Sequence, residues 1–392
     1  MIDDVEVVGV GVHPFGRFVD SSLKDLNRVA CIRALVDAGI GVRDLDAVYA
    51  ANAMAGLLQG QEMIRGQSVM REIGIERIPI TNVENACASG STALRQAVLA
   101  IRAGAADVVL VAGVEKMFVE DRTRTLEALE SGGDLDVIAG IGLQFTAVYG
   151  MRLNKLMAAG RLTRDDLVDV TIKSHANGAR NPYAQHRKAV SAEEVLGSRP
   201  IADPLTLLMC SSICDGAAAV VVARRGAVAR PDGRPGIRIR ASQAMTGYTT
   251  SGDGPGLSES CSTRAYEEAG IGPSDVDVAE IHDAMAPAEL IAYEQLRFCA
   301  PGDAGALLRS GATEIGGRIA VNPSGGLSSR GHAVGATGLA QVAELTWQLR
   351  GEATGRQTDR PRLGLAHNNG GWLEGESAVC CVHVLERTDP WT

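Results

Sequence analysis

Short apolar runs of strand length alternate with longer stretches of helical periodicity along most of this chain. The clearest strand-like runs span residues 5–10, 47–49, 108–112 and 217–223, and a helical pattern spans residues 23–38. A strand, a helix and a second strand in that order normally form a parallel pair, with the helix crossing one face of the sheet. The alternation therefore predicts an α/β fold with a mostly parallel sheet and helices on its faces.

The second half of the sequence repeats this order. Strand-like runs at 276–281, 318–321 and 378–385 alternate with helical patterns that begin near 287 and near 336. A Pro- and Gly-rich turn at 230–236 separates the halves, so we expect an N-terminal half over 1–232 and a C-terminal half over 237–392. Residues 118–196 do not follow this alternation of strands and helices, and they are expected to form an inserted lobe that covers the active site.

Composition and charge narrow the class of protein. Apolar residues make up 45% of 392 positions and aromatic residues only 4%, which is typical of a tightly packed α/β enzyme. A net charge of -9 without a long basic run argues against nucleic acid as a partner. Eight cysteines without a disulfide framework predict reduced thiols in the cytoplasm. The acidic first residues and the absence of an apolar run of about 20 residues predict neither a signal peptide nor membrane insertion.

Cys87 lies where an extended segment meets a turn of small residues, 88–92, that opens a helical pattern. Unpaired backbone N–H groups at a helix N-terminus favour a thiolate, so we expect the pKa of Cys87 to lie below the usual value of about 8.5. The same N–H groups are suited to hold an oxyanion. The alternative is a small buried cysteine that only packs the turn.

Two histidines are predicted to lie near the same sheet edge. His282 and His332 each follow a predicted strand and precede a helix, and that edge is where open α/β sheets bind ligands. His332 lies among glycines and is suited to act as the base for Cys87. Asp283 either holds the tautomer of His282 or caps the helix that follows it.

Two further polar, glycine-bearing segments follow apolar runs and are predicted to be loops near the site. Asn322 belongs to the first segment, and His367, Asn369 and Gly370 belong to the second. Such loops can position water or backbone donors toward an oxygen atom of a substrate. The adjacent pair Cys380 and Cys381 lies within an apolar strand and is expected to pack in the core.

Four segments carry a joint pattern: Asn85-Ala86-Cys87-Ala88-Ser89-Gly90, Cys210 to Ala219, Glu280-Ile281-His282-Asp283, and Gly331-His332 followed by Gly335-Ala336-Thr337-Gly338. Taken together they resemble the thiolase superfamily, and among its members the sterol carrier protein X-type thiolases, whose second motif begins with His-Asp. The resemblance covers essentially the whole chain. It implies a thiolase fold of two similar βαβαβαββ halves in a five-layered α/β structure, with an inserted loop domain and usually a homodimer.

The resemblance also implies roles for the residues that match its motifs. Cys87 would accept an acyl group from a coenzyme A (CoA) thioester, and His332 would activate the thiol. His282 would position a water or a substrate oxygen. The backbone N–H of Cys87 would form the oxyanion hole with an N–H from Asn369 or Gly370. No tightly bound cofactor and no metal site are expected.

The chain departs from the family pattern at the second catalytic thiol. Ala284 stands where X-type members carry that cysteine, and His367 stands near the position that it has in other thiolases. A condensation would therefore need His367, or alternatively His282, to transfer the proton. Ala333 also replaces the proline that normally follows His332.

Three functions remain open at this stage. The first is a thiolase-like acyltransferase that cleaves or forms carbon–carbon bonds through acyl-Cys87. The second is a thiolase-like lyase that cleaves a β-hydroxyacyl-CoA, against which the retained Cys87 counts. The third is a subunit that is active only with a small OB-fold, zinc-ribbon partner. Cations of the inserted lobe are candidates to bind the CoA phosphates: Arg152, Lys155 and Arg187, with Arg161 and Lys188 as weaker candidates.

Overall fold

The computed structural model of the protein describes residues 5–138, 142–230, 233–248, 254–389 and 391. Residues 1–4 of the predicted N-terminal half lie outside the described residues. So do residues 231–232, which belong to the turn between the predicted halves. The division into halves at 1–232 and 237–392 stays a prediction.

The strands and helices alternate as the sequence predicts. The strands are β1 (Val5–Gly16), β2 (Ala47–Ala51), β3 (Ile80–Val83), β4 (Val108–Glu115), β5 (Pro200–Ala202), β6 (Leu205–Thr206), β7 (Asp215–Arg224), β8 (Ile237–Thr246), β9 (Val278–Glu280), β10 (Ala320–Val321), β11 (Leu363–Gly370) and β12 (Val379–Arg387). The helices are α1 (Leu23–Ala38), α2 (Ala55–Gln59), α3 (Arg65–Arg71), α4 (Ser89–Arg102), α5 (Arg122–Glu130), α6 (Leu135–Ile138), α7 (Phe145–Ala158), α8 (Arg164–Ala179), α9 (Ala192–Gly197), α10 (Leu257–Ala269), α11 (Ala288–Gln295), α12 (Ala304–Arg309), α13 (Gly326–Ser329) and α14 (Thr337–Arg350).

The two halves share one topology. Strands pair in the order β10-β9-β11-β12-β8-β1-β7-β4-β2-β3, and the halves meet where Glu6 of β1 pairs with Arg238 of β8. In the first half β3, β2 and β4 are parallel, and β7 runs antiparallel between β4 and β1. In the second half β10, β9 and β11 are parallel, and β12 runs antiparallel between β11 and β8. The expected thiolase-type α/β topology is confirmed. The expectation of a mostly parallel sheet is wrong, because five of the nine strand pairings in this sheet are antiparallel.

Alternation of side chains along the strands produces five layers. The ten-stranded sheet divides between β1 and β8 into a first sheet of β1, β2, β3, β4 and β7 and a second sheet of β8 to β12. One face of the first sheet packs on α1, and its other face packs on α4 and α14. One face of the second sheet packs on the same two central helices, and its other face packs on α10 and α11. Successive strand residues point to opposite faces of the sheet, so each buried strand contributes side chains to two hydrophobic cores. The central pair α4 and α14 therefore carries the turns with Cys87 and His332 between the two sheets.

A long segment separates β4 from β7. It contains α5 to α9 and the antiparallel pair of β5 and β6. Among the described residues no helix is both long and apolar enough to cross a membrane.

Candidate active site

Cys87 lies in a tight turn between β3 and α4. Residues 86–88 form one turn of 3₁₀-helix, and Ala86 adopts a left-handed backbone conformation with φ of 48°. The Ser89 hydroxyl fixes this turn, because it accepts from the N–H of Asn85 at 2.9 Å and donates to the Ala86 carbonyl at 2.6 Å. Non-glycine residues pay a conformational cost for positive φ, so the surrounding structure must hold the turn. The result is a half-buried thiol directly before the first turn of α4.

The structure brings Cys87, His282 and His332 together. The Cys87 sulfur and one nitrogen of each imidazole all lie within 4.8 Å of one another. The two rings meet edge to face, with centroids 5.2 Å apart and planes at 83°. His282 follows β9 directly, as expected. His332 does not directly follow its strand, because the short helix α13 intervenes between β10 and the glycine turn.

Hydrogen bonds indicate which nitrogen of His332 carries the proton. Nδ1 lies 2.7 Å from the Thr337 hydroxyl, which itself donates to the carbonyl of Ala333 at 3.1 Å. Since that hydroxyl proton is already used, Nδ1–H of His332 is the donor to Thr337, and Nε2 keeps its lone pair. Burial, and then the charge of Arg330, lowers the pKa of His332 to about 3. The ring is therefore a neutral base at neutral pH.

His282 has the opposite arrangement. Its Nδ1 lies 3.0 Å from the Nδ2 of Asn368, whose Oδ1 accepts from the Ser91 hydroxyl at 3.3 Å. An amide nitrogen can only donate, so Nδ1 of His282 accepts and Nε2 carries the proton. Burial, followed by the neighbouring His332, lowers the pKa of His282 well below its usual range. His282 is thus a neutral hydrogen-bond donor beside a neutral base.

Asp283 takes neither of the roles that the sequence suggested. Its Oδ1 accepts from the N–H of Leu327 at 2.7 Å, so it caps α13 and not the helix that follows it in the chain. Burial and the nearby Glu289 raise the pKa of Asp283 well above its usual range. The tautomer of His282 is set by Asn368 instead.

The expected low pKa of Cys87 is wrong. Burial, with a further contribution from the charge of Glu115, raises the pKa of Cys87 to about 12. Hydrogen bonds to the sulfur from the backbone N–H groups of Gly371 and of Cys87 itself act in the opposite direction but are outweighed. The free energy needed to bury a thiolate away from water exceeds the stabilisation that these backbone N–H groups provide. The resting site is a neutral thiol beside a neutral imidazole.

Glu115, at the end of β4, joins the loops around the thiol. Its carboxylate accepts from Asn52 Nδ2 at 2.8 Å and from the backbone N–H groups of Ala53 at 2.9 Å, Met54 at 3.0 Å and Gly335 at 3.1 Å. Burial raises the pKa of Glu115 to about 7, although these donors favour the ionised form. One buried carboxylate therefore connects the end of β2 to the turn that carries His332.

His367, Asn369 and Gly370 lie on strand β11 and not in a loop. They pair with β12, whose ladder continues through Gly370. Alternate residues point to opposite faces, so Asn368 faces Ser91 and His282, while His367 and Asn369 face Ser258 of α10.

His367 is therefore bound on the far side of β11. Its Nε2 lies 3.0 Å from the Ser258 hydroxyl, and its Nδ1 accepts from the backbone N–H of His282 at 3.5 Å. Burial lowers the pKa of His367 to about 4. The contacts support the backbone of His282, and the acid–base role of His367 stays a prediction.

Gly370 and Asn322 were also predicted to support the site, and they contribute in different ways, Gly370 through its backbone and Asn322 through its side chain. A methyl group on Gly370 would lie 2.4 Å from the Asn85 carbonyl oxygen, so this glycine allows β11 to touch the Cys87 turn. Asn322 accepts from the N–H of Ile281 at 2.8 Å and donates to Glu289 at 2.8 Å. Its side chain is thus used to hold the strand end that precedes His282, and its role near the thioester oxygen stays a prediction.

The cationic side chains predicted to bind CoA differ in whether they form ion pairs with carboxylates of the chain. Arg161 and Lys188 form ion pairs, with Glu294 and with Glu194 respectively. Arg152, Lys155 and Arg187 are exposed, and no salt bridge engages them within the described ranges. Their role at the phosphates stays a prediction.

Tyr149 of α7 packs against the buried cluster that contains Cys210 and Met285. Burial raises the pKa of Tyr149 to about 12, and the nearby Arg152 opposes this rise. Arg152, three residues further along α7, lies on the same side of the helix.

Sequence reasoning missed Thr337, Asn368, Glu115 and Gly371. Three of the four had a signal: Thr337 opens α14, Asn368 stands between two candidate residues, and Glu115 ends a buried strand. A polar residue at the carboxyl end of an apolar strand is a reasonable candidate for a site support. Their actual partners depend on pairing between distant segments.

A half-buried thiol, a neutral base and a neutral donor at the carboxyl edge of an α/β sheet define an enzyme of the cysteine-dependent acyl-transfer class. The sequence comparisons agree with that class. Residues 5–226 match the family description "Thiolase, N-terminal domain" and residues 255–385 match "Thiolase C-terminal domain-like". The chain belongs to the thiolase family.

Full-length relatives carry names that agree with this family. An acetyl-CoA acetyltransferase from Methanothermobacter thermautotrophicus is 38% identical over 98% of this chain and 100% of its own length. The benzoylsuccinyl-CoA thiolase subunit BbsB of Thauera aromatica is 36% identical over 94% of both chains. Sterol carrier protein 2 of Bos taurus is 35% identical over 93% of this chain and 70% of its own length. The resemblance to X-type thiolases is thereby confirmed.

Among solved structures, the Ltp2-ChsH2(DUF35) aldolase superposes with a TM-score of 0.82 over 99% of both chains, at 22% identity. That likeness supports the fold. With the family and the named relatives, the chain is a thiolase-like acyltransferase that acts on CoA thioesters.

Proposed function

We propose that the acyl group is carried on Cys87. Nε2 of His332 removes the thiol proton as the sulfur attacks the thioester carbonyl carbon. The bond between that carbon and the CoA sulfur then breaks, and CoA leaves as a thiol with the proton from His332. Because both partners are neutral at rest, proton transfer and attack are expected to occur together.

Two sets of donors face the charges that develop in these steps. His282 presents Nε2–H, which is suited to hold a thioester or enolate oxygen in the second half-reaction. The N–H of Cys87, with the N–H of Asn369 or Gly370, is proposed to hold the oxyanion formed at the acyl carbon. The N–H of Gly371, which hydrogen-bonds to the sulfur as that of Cys87 does, is a further candidate donor. A second CoA thiol, or a carbanion, would then attack acyl-Cys87 and release the enzyme thiol.

The observation that carries this proposal is the mutual distance of at most 4.8 Å between the sulfur and the two imidazole nitrogens. Intact-protein mass spectrometry after incubation with short, branched, aromatic and steroidal acyl-CoAs tests it directly. We expect a mass increase of one acyl group in the wild type and none in Cys87→Ala. Cys299→Ala is the matched control, because Cys299 is the other cysteine that is only partly buried within the described residues. An adduct that persists in Cys87→Ala contradicts the proposal.

The second catalytic cysteine is missing from both of its usual positions, because Ala284 occupies the one of X-type members and His367 stands near the one of other thiolases. We propose His367 for the proton transfer at carbon, with His282 as the alternative. His367→Gln is expected to acylate Cys87 normally and to lose condensation. Loss of both activities would indicate that His367 only supports the backbone of His282.

The CoA phosphates are proposed to bind Arg152, Lys155 and Arg187, which are exposed on the inserted segment. Arg152 supports this proposal most strongly, because Tyr149, one turn earlier on α7, interacts electrostatically with both Arg152 and Cys87. The acyl chain then extends inward to the thiol from the surface of α7.

A homodimer, a small partner and a cytoplasmic role in lipid metabolism belong to the same proposal. Leu57, Met63 and Ile64 are exposed near the edge strand β3, and apolar side chains there favour a second copy of the chain. A small OB-fold, zinc-ribbon partner is supported by the relative that is named as a thiolase subunit and by the DUF35 chain that forms part of the Ltp2-ChsH2 aldolase. The eight free thiols support a reducing compartment. Light scattering and co-purification test the assembly states.

A further inference from the structure

The three central side chains of the site also form a set of metal ligands. Their sulfur and two nitrogen donors lie within 4.8 Å of one another. In a tetrahedral zinc site, with bonds of about 2.0–2.3 Å, neighbouring ligand atoms are roughly 3.3–3.6 Å apart. The three side chains would therefore need to close by about 1 Å to reach a common ion.

The donor set favours a particular kind of cation. One thiolate and two imidazoles suit zinc and similar borderline-soft divalent ions, and they discriminate against magnesium and calcium. Three protein ligands leave a fourth position open to water. We propose that Cys87, His282 and His332 bind one zinc ion reversibly, and that this binding and acylation of Cys87 exclude each other. This inference replaces the expectation from the sequence that the chain has no metal site.

One imidazole is already prepared for the ion. Nδ1–H of His332 donates to Thr337, at a distance of 2.7 Å between heavy atoms, and leaves the Nε2 lone pair for the metal. Metal-binding histidines usually donate their second N–H to such a partner, which orients the ring.

The other imidazole needs one rearrangement. His282 carries its proton on Nε2 while Nδ1 accepts from Asn368. If the Asn368 amide turns over, its Oδ1 accepts from Nδ1–H and its Nδ2 donates to the Ser91 hydroxyl, which lies 3.3 Å from the present Oδ1. A hydroxyl accepts as well as it donates, so the turn preserves both hydrogen bonds. Nε2 of His282 then holds a lone pair for zinc.

Proton balance follows from the ligands. The Cys87 thiol releases one proton to the buffer when the zinc–sulfur bond forms, and the proton of His282 moves from Nε2 to Nδ1 with no net loss. No oxidation occurs. A chelator that removes the ion returns the thiol and the resting tautomers.

Titration of the reduced full-length chain with buffered zinc, against a chromophoric chelator and without any acyl-CoA, measures the binding. We expect one zinc per chain in the wild type and in Cys299→Ala. Cys87→Ala is expected to bind more than about 100-fold less tightly, which is the upper end of what loss of a supporting residue costs. Cobalt in place of zinc should give a thiolate-to-metal charge-transfer band that Cys87→Ala lacks.

Asn368→Asp provides a test that does not remove a ligand. A carboxylate can only accept, so it fixes His282 with the proton on Nδ1 and is expected to tighten zinc binding about 10- to 100-fold. Equal affinity in the wild type and Cys87→Ala, weaker binding in Asn368→Asp, or no stoichiometric binding would each overturn the proposal. Since the titration contains no acyl donor, its outcome is independent of whether Cys87 is acylated.

Discussion

The hydroxyl of Thr337 determines whether His332 can act as a base. Thr337 is fully buried, and it is the acceptor for Nδ1–H of His332 at 2.7 Å. Thr337→Val replaces the hydroxyl by a methyl group at nearly constant volume. The Nδ1–H of the competent tautomer then loses its buried partner, while the competing tautomer points its proton at Cys87.

The size of the effect follows from that lost partner. An unsatisfied buried donor costs about 1–3 kcal/mol. At about 1.36 kcal/mol per factor of ten, the ratio of the competent to the competing tautomer falls roughly 5- to 150-fold. We expect the rate of Cys87 acylation to fall by up to this factor, and Thr337→Ser, which keeps the hydroxyl, to stay near the wild type.

The assay is single-turnover release of CoA, measured by rapid quench and chromatography. Thr346→Val is the matched control, since Thr346 is also buried in α14 and donates to a carbonyl one turn earlier, that of Val342, at 2.8 Å. Thermal unfolding of both variants checks that they are folded. Equal acylation rates for Thr337→Val and Thr346→Val would refute the assignment of the tautomer.

Three further predictions concern the thiol, its turn and the CoA contacts. Because burial raises the pKa of Cys87 to about 12, its alkylation by iodoacetamide should accelerate steadily from about pH 7 to pH 10; a plateau near neutral pH contradicts this. In Gly370→Ala the new methyl would lie 2.4 Å from a carbonyl oxygen of the Cys87 turn, so the rate of acylation should fall by about 100-fold. Gly197→Ala is the control: a methyl group there would have no atom within 4 Å, and the rate should not change. Steady-state kinetics of Arg152→Ala should show a KM for acyl-CoA raised up to about fivefold with little change in kcat, and no change in the already ion-paired Lys188→Ala.

The order of strands and helices was predictable from the sequence because the spacing of apolar residues reflects which side chains are buried. The bounds of α1 match the predicted span 23–38, and the turn after β3 delivers Cys87 to a helix start as expected. The gathering of Cys87, His282 and His332 at one sheet edge also followed from their positions after strands.

Other features depend on contacts between distant segments and left weak local signals. Residues 367–370 are polar and rich in asparagine, so they resemble a loop, and only pairing with β12 makes them a strand. The pKa of Cys87 depends on burial by the second half of the chain and on Glu115, whereas the sequence revealed only the helix start. Asp283 caps α13, a helix more than 40 residues later, which local reasoning could not identify.

The claim that two neutral histidines with opposite tautomers flank the thiol is tested most directly by nitrogen NMR. The full chain, with nitrogen-15 histidine at its seven positions, would be recorded at neutral pH in long-range proton–nitrogen spectra, with His282→Gln and His332→Gln used for assignment. We predict an unprotonated Nε2 in His332 and an unprotonated Nδ1 in His282. The same tautomer in both rings, or a doubly protonated His332 beside a thiolate, would contradict the account.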